Sequence, residues 1–158
     1  MVIRRWMETD QREMFDLHIL SMKDSDSYKG EGPWDDDMKD IPGYYLTDGG
    51  EFLVGVYDGR IVAMGAFHRL SADSAEIKRI RTHPEYQKKG CAKAIMDELE
   101  KRAVDSGVAR LELVTTVTQK AAQALYAKCG FTETGRMRLM GYDCIAYEKT
   151  IGKLTEAG

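Results

Sequence analysis

Two apolar runs, Phe52 to Tyr57 and Ile61 to Phe67, flank the dipeptide Asp58-Gly59. Asp-Gly is a favoured two-residue turn between antiparallel strands because both central positions need positive φ. The pattern therefore predicts a hairpin over Glu51 to Leu70. A third strand is predicted from Ala75 to Thr82, ended by Pro84, which cannot donate to a ladder. Ala92, Ile95, Leu99 and Ala103 then recur at helical spacing, which predicts an amphipathic helix from about Gly90 to a C-terminal cap at Gly107. Arg110 to Val117 alternates as a strand. A shorter helix is expected from Gln119 to Lys128, burying Ala122, Leu125 and Cys129, and two closing strands from Phe131 to Met140 and Asp143 to Thr150. At the other end, Val2 to Trp6 reads as a strand, and a helix from Asp10 to Met22 is expected to be capped by Thr9, with Met14, Leu17 and Leu20 on one face.

Between Asp24 and Asp48 the periodicity is lost. Gly30, Gly32, Pro33, Pro42 and Gly43 punctuate the segment, while Tyr28, Trp34, Tyr44 and Tyr45 place large rings among acids. A mobile loop with one short helix is expected here, and a segment of this length inside a compact domain is more often functional than idle.

With 158 residues and an ordinary globular composition, the chain reads as one α/β domain with a mixed, mostly antiparallel sheet flanked by helices. Residues 51–150 would form the core, with residues 1–50 added at one side of it. Neither a repeat nor a linker interrupts it. The three cysteines, Cys91, Cys129 and Cys144, form no CxxC and no cluster with histidine at zinc spacing, so thiols in a reducing, cytoplasmic setting are expected, with no metal site. No apolar run approaches a membrane span, and a net charge of −3 gives no reason to expect nucleic acid or membrane as partner. The charge is nevertheless segregated. From Asp24 to Glu51 nine acids, Glu31 among them, face only Lys29 and Lys39, whereas from Lys78 to Arg102 eight basic residues face four acidic ones.

The basic half contains the segment Gln87-Lys88-Lys89-Gly90-Cys91-Ala92. A glycine there lets backbone amides approach a ligand, and the helix that follows aims its unsatisfied N–H groups and positive dipole end at the same place. These are the requirements of a pyrophosphate cradle.

Strand, x-Pro terminus, loop and helix together resemble the GNAT superfamily of N-acetyltransferases. The family's strand with a carboxylate reads here as Glu76-Ile77-Lys78-Arg79-Ile80-Arg81-Thr82-His83-Pro84, and its Arg/Gln-x-x-Gly-x-Gly/Ala loop as Gln87 to Ala92. A second signature, Asn-x-x-Ala-x-x-Leu-Tyr-x-x-x-Gly-Phe, appears as Gln119 to Phe131, with Gln119 in place of asparagine. The resemblance covers Glu51 to Thr150 and implies a sheet with splayed central strands and acetyl-CoA as co-substrate.

The resemblance also assigns roles. The phosphates would lie on Gln87, Lys88, Lys89, Gly90, Cys91 and Ala92; the pantetheine arm would pair with the backbone of Ile80, Arg81 and Thr82; Gln119 would lie near that arm. A primary amine, with a pKa of about 10, must lose a proton before attack. Glu76 is the candidate base, aided by a pKa raised through burial, and Tyr126 the candidate acid for the leaving thiolate. Outside the resemblance, and from its residues alone, the acidic and aromatic segment from Tyr28 to Tyr45 is the candidate wall of the acceptor site: its carboxylates would attract an ammonium, and Trp34, Tyr44 or Tyr45 could stack on it, while Arg79 or Arg81 could equally read a carboxylate on the acceptor.

The expected activity is direct acetyl transfer, in a ternary complex, to the amine of a small molecule or amino-acid-like metabolite. Acetylation of a protein lysine or N-terminus, which needs an open peptide groove, and non-catalytic acetyl-CoA sensing are the alternatives. Retention of both Glu76 and Tyr126 argues against the sensor. A final strand left exposed would allow a homodimer.

Overall fold

The sheet grows outward from the Asp58-Gly59 turn, where φ is +49° and +76°. A computed structural model describes residues 1–30 and 32–152; Glu31 of the acidic run lies outside the described residues. Strand β1 (Val2–Arg5) leads through a 3₁₀ turn (Glu8–Asp10) into α1 (Gln11–Asp24). Two helical turns, Pro33–Lys39 and Pro42–Leu46, precede β2 (Glu51–Tyr57), β3 (Arg60–Arg69) and β4 (Ser74–Thr82). Then follow α2 (Cys91–Asp105), β5 (Arg110–Thr116), α3 (Lys120–Lys128), β6 (Thr132–Leu139) and β7 (Tyr142–Thr150). The seven strands lie in the order β1-β2-β3-β4-β5-β7-β6, and every pairing is antiparallel except β4 with β5.

Alternation along the strands splits the apolar residues between two cores. Behind the sheet, Leu53, Phe67, Ile77, Leu111 and Leu113 pack with Ile95 and Leu99 of α2 and with Tyr126 and Phe131. In front, Phe52, Val54, Met64 and Ala66 pack with Met14 and Leu17 of α1 and with Met38, Ile41 and Tyr45 of the two helical turns.

Four local expectations are corrected. Helix α1 starts at Gln11 with Asp10, not Thr9, at its N-cap position; the Asp10 carboxylate accepts the Met7 N–H at 2.7 Å and pairs with Arg4, tying the helix entry to β1. The segment after α1 holds two helical turns rather than one short helix, because buried Met38, Ile41 and Tyr45 anchor both against the front of the sheet. On α3 it is Tyr126 that is buried, with Ala122, Leu125 and Cys129 only partly so. The final strand β7 lies between β5 and β6, so the free edges of the sheet belong to β1 and β6.

Candidate active site

The parallel pair β4–β5 is joined over only three positions, Ser74↔Arg110, Ala75↔Leu111 and Glu76↔Glu112. Beyond them the strands part, although β4 continues to Thr82 and β5 to Thr116. Six residues of β4, 77–82, thus present a backbone edge of roughly 20 Å with no strand partner on that side among the described residues. An extended amide-bearing ligand can add to such an edge as a strand would.

A bulge alters which way the β4 side chains point. Between Lys78 and Arg81 the strand advances three residues while β3 advances two, from Ala66 to Met64, and Arg79 takes up the extra residue at φ +63°. Lys78 and Arg81 both lie opposite front-core residues, so they share the front face with Glu76, and the Arg79 side chain reaches that face too. Opposite the bulge stands Gly65, where a Cβ would come within 2.5 Å of Ile80 and 2.6 Å of Ile95.

At the far end of β4 the chain passes through Pro84–Tyr86 into the Gln87–Ala92 loop. Gly90, at φ +80°, is the N-cap of α2, and Lys88 also has positive φ, +61°. The first amides of α2 are left without intrahelical acceptors, next to two lysines. The site thus fits acetyl-CoA in two respects: a free strand edge for the arm and a basic helix N-terminus for the phosphates. The Gln87 amide donates to Asp24 Oδ2 at 3.2 Å, and the Lys89 ammonium lies 5.3 Å from the centre of the Tyr86 ring. Cys91 is partly buried at the start of the helix.

Helix α3 brings Tyr126 to the splay from behind. The ring packs at 5.9 Å from Tyr147 and 6.2 Å from Phe131. Burial pushes its phenol up to about 12, against the pull of nearby Arg81, so the hydroxyl carries its proton at neutral pH. The Gln119 carboxamide accepts from Thr115 Oγ at 3.3 Å, which attaches it to β5. Gln123, which sequence reasoning passed over, ties α3 to the end of β5 by donating to the carbonyls of Val117 at 2.9 Å and Thr116 at 3.3 Å.

On the front face Glu76 Oε1 lies 2.7 Å from His68 Nε2 across the β3–β4 ladder. That hydrogen bond, helped by Lys78 and opposed by burial, holds the Glu76 carboxyl below its ordinary range; the expected burial-raised pKa is not found, because the imidazole outweighs desolvation. Tyr44 is exposed, with its ring 5.4 Å from that of His68 and 5.3 Å from the Lys78 ammonium.

The neighbouring acids are internal. Arg79 donates to Asp37 at 2.7 and 3.0 Å, to the Trp34 carbonyl, and lies 3.6 Å from Asp35. Tyr45, 1% exposed, donates its hydroxyl to Asp37. Burial works against the Asp37 charge, but Arg79 outweighs it and keeps the carboxyl below its usual range. Asp35 is hydrogen-bonded to His18 at 2.9 Å. Buried Asp35, Asp37 and Tyr45 therefore brace Arg79 and the Pro33–Lys39 turn, leaving neither the two acids nor Tyr45 facing an acceptor. Trp34 remains exposed, its indole N–H on the Gly30 carbonyl at 3.2 Å. Arg81 remains beside Tyr126 with no carboxylate within ion-pair distance among the described residues. Across the cleft the Lys29 ammonium lies 3.7 Å above the Tyr142 ring, so the loop after α1 meets the β6–β7 turn and walls a further side.

Sequence reasoning also missed His68 and His18. His68 sits opposite Glu76 in the hairpin register, a pairing that counting outward along the ladder would expose. His18 shows only as a polar residue on the buried face of α1.

A splayed sheet with a basic helix start and a tyrosine near the split is the arrangement that suits an acyl-CoA-dependent transferase. The sequence model of the Acetyltransferase (GNAT) family matches residues 6–131, and the chain belongs to this family. An acetyltransferase from Yersinia pestis is 30% identical over 125 residues, covering 77% of this chain and 83% of the relative. N-acetylaspartate synthetase of Homo sapiens is 34% identical over 101 residues; the match covers 63% of this chain but only 33% of that relative. The chain thus spans about a third of the length of the N-acetylaspartate synthetases it matches. Among solved structures, a GNAT acetyltransferase from Staphylococcus aureus superposes with a TM-score of 0.85 at 19% identity, covering 95% of this chain and 98% of that one. An acetyltransferase from Salmonella typhimurium solved with its cofactor acetyl-CoA gives 0.80 at 16% identity, covering 100% and 98%.

Proposed function

We propose that the protein acetylates the primary amine of a small molecule or amino-acid-like metabolite by direct attack within a ternary complex. The observation that carries this reading is the free β4 edge, which starts beside the Glu76–His68 pair and bears Arg81 near the protonated Tyr126 phenol. Acetyl-CoA supplies an activated acetyl group. Backbone of Ile80, Arg81 and Thr82 would hold its arm, and amides of Lys88, Lys89, Gly90, Cys91 and Ala92 its phosphates, with the lysine charges assisting. Glu76, kept ionised by His68, draws the acceptor's ammonium proton into the pair, directly or through a water. Tyr126 returns a proton to the departing thiolate. Exposed Tyr44 and Trp34 flank the acceptor, backed by the Arg79–Asp37–Tyr45 cluster.

The N-acetylaspartate synthetase relatives, whose product by name is an acetylated amino acid, favour a metabolite over a peptide. So does the bridge from Lys29 to Tyr142, which narrows what would be an open groove. The test is CoA release from acetyl-CoA against a panel of amino acids, simple amines, polyamines and short peptides, followed by initial-rate kinetics on the best acceptor. Turnover with intersecting double-reciprocal lines is expected. Parallel lines would indicate an acyl-enzyme, and turnover on peptides alone would overturn the metabolite reading.

A further inference from the structure

Arg79 and Arg81 stand two residues apart on β4, and the bulge turns both to the front, yet their circumstances differ. Arg79 is saturated by Asp37, Asp35 and the Trp34 carbonyl. Among the described residues Arg81 has one hydrogen bond, from Nη1 to the Ile80 carbonyl at 3.0 Å, and its buried Nε has no partner there. A buried donor on a charged group costs free energy until an acceptor reaches it. Burial, reinforced by Arg79, brings the guanidinium down to about 10; Asp35 and Asp37 pull the other way but are committed to Arg79, His18 and Tyr45. The group stays charged at neutral pH and unsatisfied.

Its place narrows what could satisfy it. Arg81 lies on the unpaired stretch of β4, inside the split, close enough to Tyr126 to pull on the phenol's charge. A ligand that reaches Nε from the front therefore also approaches Tyr126. A planar guanidinium with free donors matches a carboxylate, which can accept two parallel N–H bonds. An ammonium or polyamine there would meet repulsion from Arg81 and from Lys78 on the same face.

We infer that Arg81 receives the carboxylate of the acceptor, so that the substrate is an amino acid rather than a simple amine or polyamine. This rests on the N-acetyl transfer proposed above. The two buried acids of the neighbouring segment do not compete for this role, since Asp37 is held by Arg79 and Tyr45 and Asp35 by His18.

The experiment compares amino acids with their carboxamides, which keep the shape and the amine but lose the negative charge. The carboxamide amine is the easier to deprotonate, so any intrinsic bias runs against the proposal. In the wild-type protein kcat/KM is expected to be at least tenfold higher for the acids. In Arg81→Gln the ratio should fall towards one, with the loss in acceptor KM and not in acetyl-CoA KM; Arg81→Lys, which keeps the charge but not the fork, should fall between. Equal wild-type rates on acids and carboxamides would overturn the carboxylate assignment and leave N-acetyl transfer standing. A ratio unchanged in Arg81→Gln, or a loss confined to acetyl-CoA KM, would assign Arg81 to the cofactor instead. Acetyl-CoA binding without acetylation of either series would overturn the small-amine reading and this inference with it. Should Arg81→Gln fail to fold, the wild-type ratio and Arg81→Lys still decide.

Discussion

At the residue scale the site is governed by which charges are already spent. Arg79 occupies a left-handed backbone conformation and is held there by Asp37. Arg79→Ala removes one partner of a buried pair and should cost about 3–5 kcal/mol of unfolding free energy, read from urea titration. His18 carries a second consequence. Burial, followed by the nearby Arg81 and Arg79 charges, lowers its pKa from 6.5 to about 4, so between those values the unfolded chain binds the proton that the folded chain refuses. Stability should therefore fall as pH drops from about 6.5 to about 4, and His18→Gln should flatten that limb in a melting-temperature series. Glu76 and Asp37, held low, add stability that is lost only as pH falls through their own lowered values. As candidates, Glu76, Tyr126 and the Gln87–Ala92 loop could be singled out in the sequence because motif spacing marks them. The roles of Arg79 and Arg81 were not separable there, since a bulge shifts side-chain parity by one and no periodicity announces it.

At the element scale the bulge on β4 and the glycine opposite it form one device. Gly65→Ala would drive a Cβ against Ile80 and Ile95, for a cost of about 1–3 kcal/mol in stability. Because Ile80 lies on the strand proposed to pair with the pantetheine arm, acetyl-CoA KM should rise as well; an unchanged KM would separate packing from cofactor binding. The hairpin, β4, α2 and their boundaries were readable from turn chemistry and apolar spacing. The two helical turns at 33–39 and 42–46 were not, because their order comes from a few buried anchors, Met38, Ile41 and Tyr45, set among polar neighbours rather than from a repeating face. The short α3 misled by one position: its amphipathic stripe is narrow, and the bulky Tyr126 rather than Leu125 fills the space beside Phe131 and Tyr147.

At the scale of the whole molecule, one sheet separates two cores, and the split between β4 and β5 opens between them. The rear core fixes Tyr126 and the start of α2; the front core fixes Arg79, Glu76 and the aromatic turn. Under the proposed function, substrate and cofactor would thereby meet at one place from opposite faces. The strand order was only partly legible, since β7 inserts between β5 and β6 through long-range pairing that local pattern does not encode. Among the described residues no helix is long and apolar enough to cross a membrane, and no group of three or more His, Cys, Asp or Glu side chains could hold a metal ion. The most direct test of the account is the rate of CoA release by wild-type protein and by Tyr126→Phe at saturating acetyl-CoA and acceptor, with acetyl-CoA affinity measured alongside. Loss of the phenolic proton should lower kcat by about a hundredfold while leaving acetyl-CoA affinity nearly unchanged. Equal turnover in the two proteins would contradict the assignment of Tyr126 as the acid at the split.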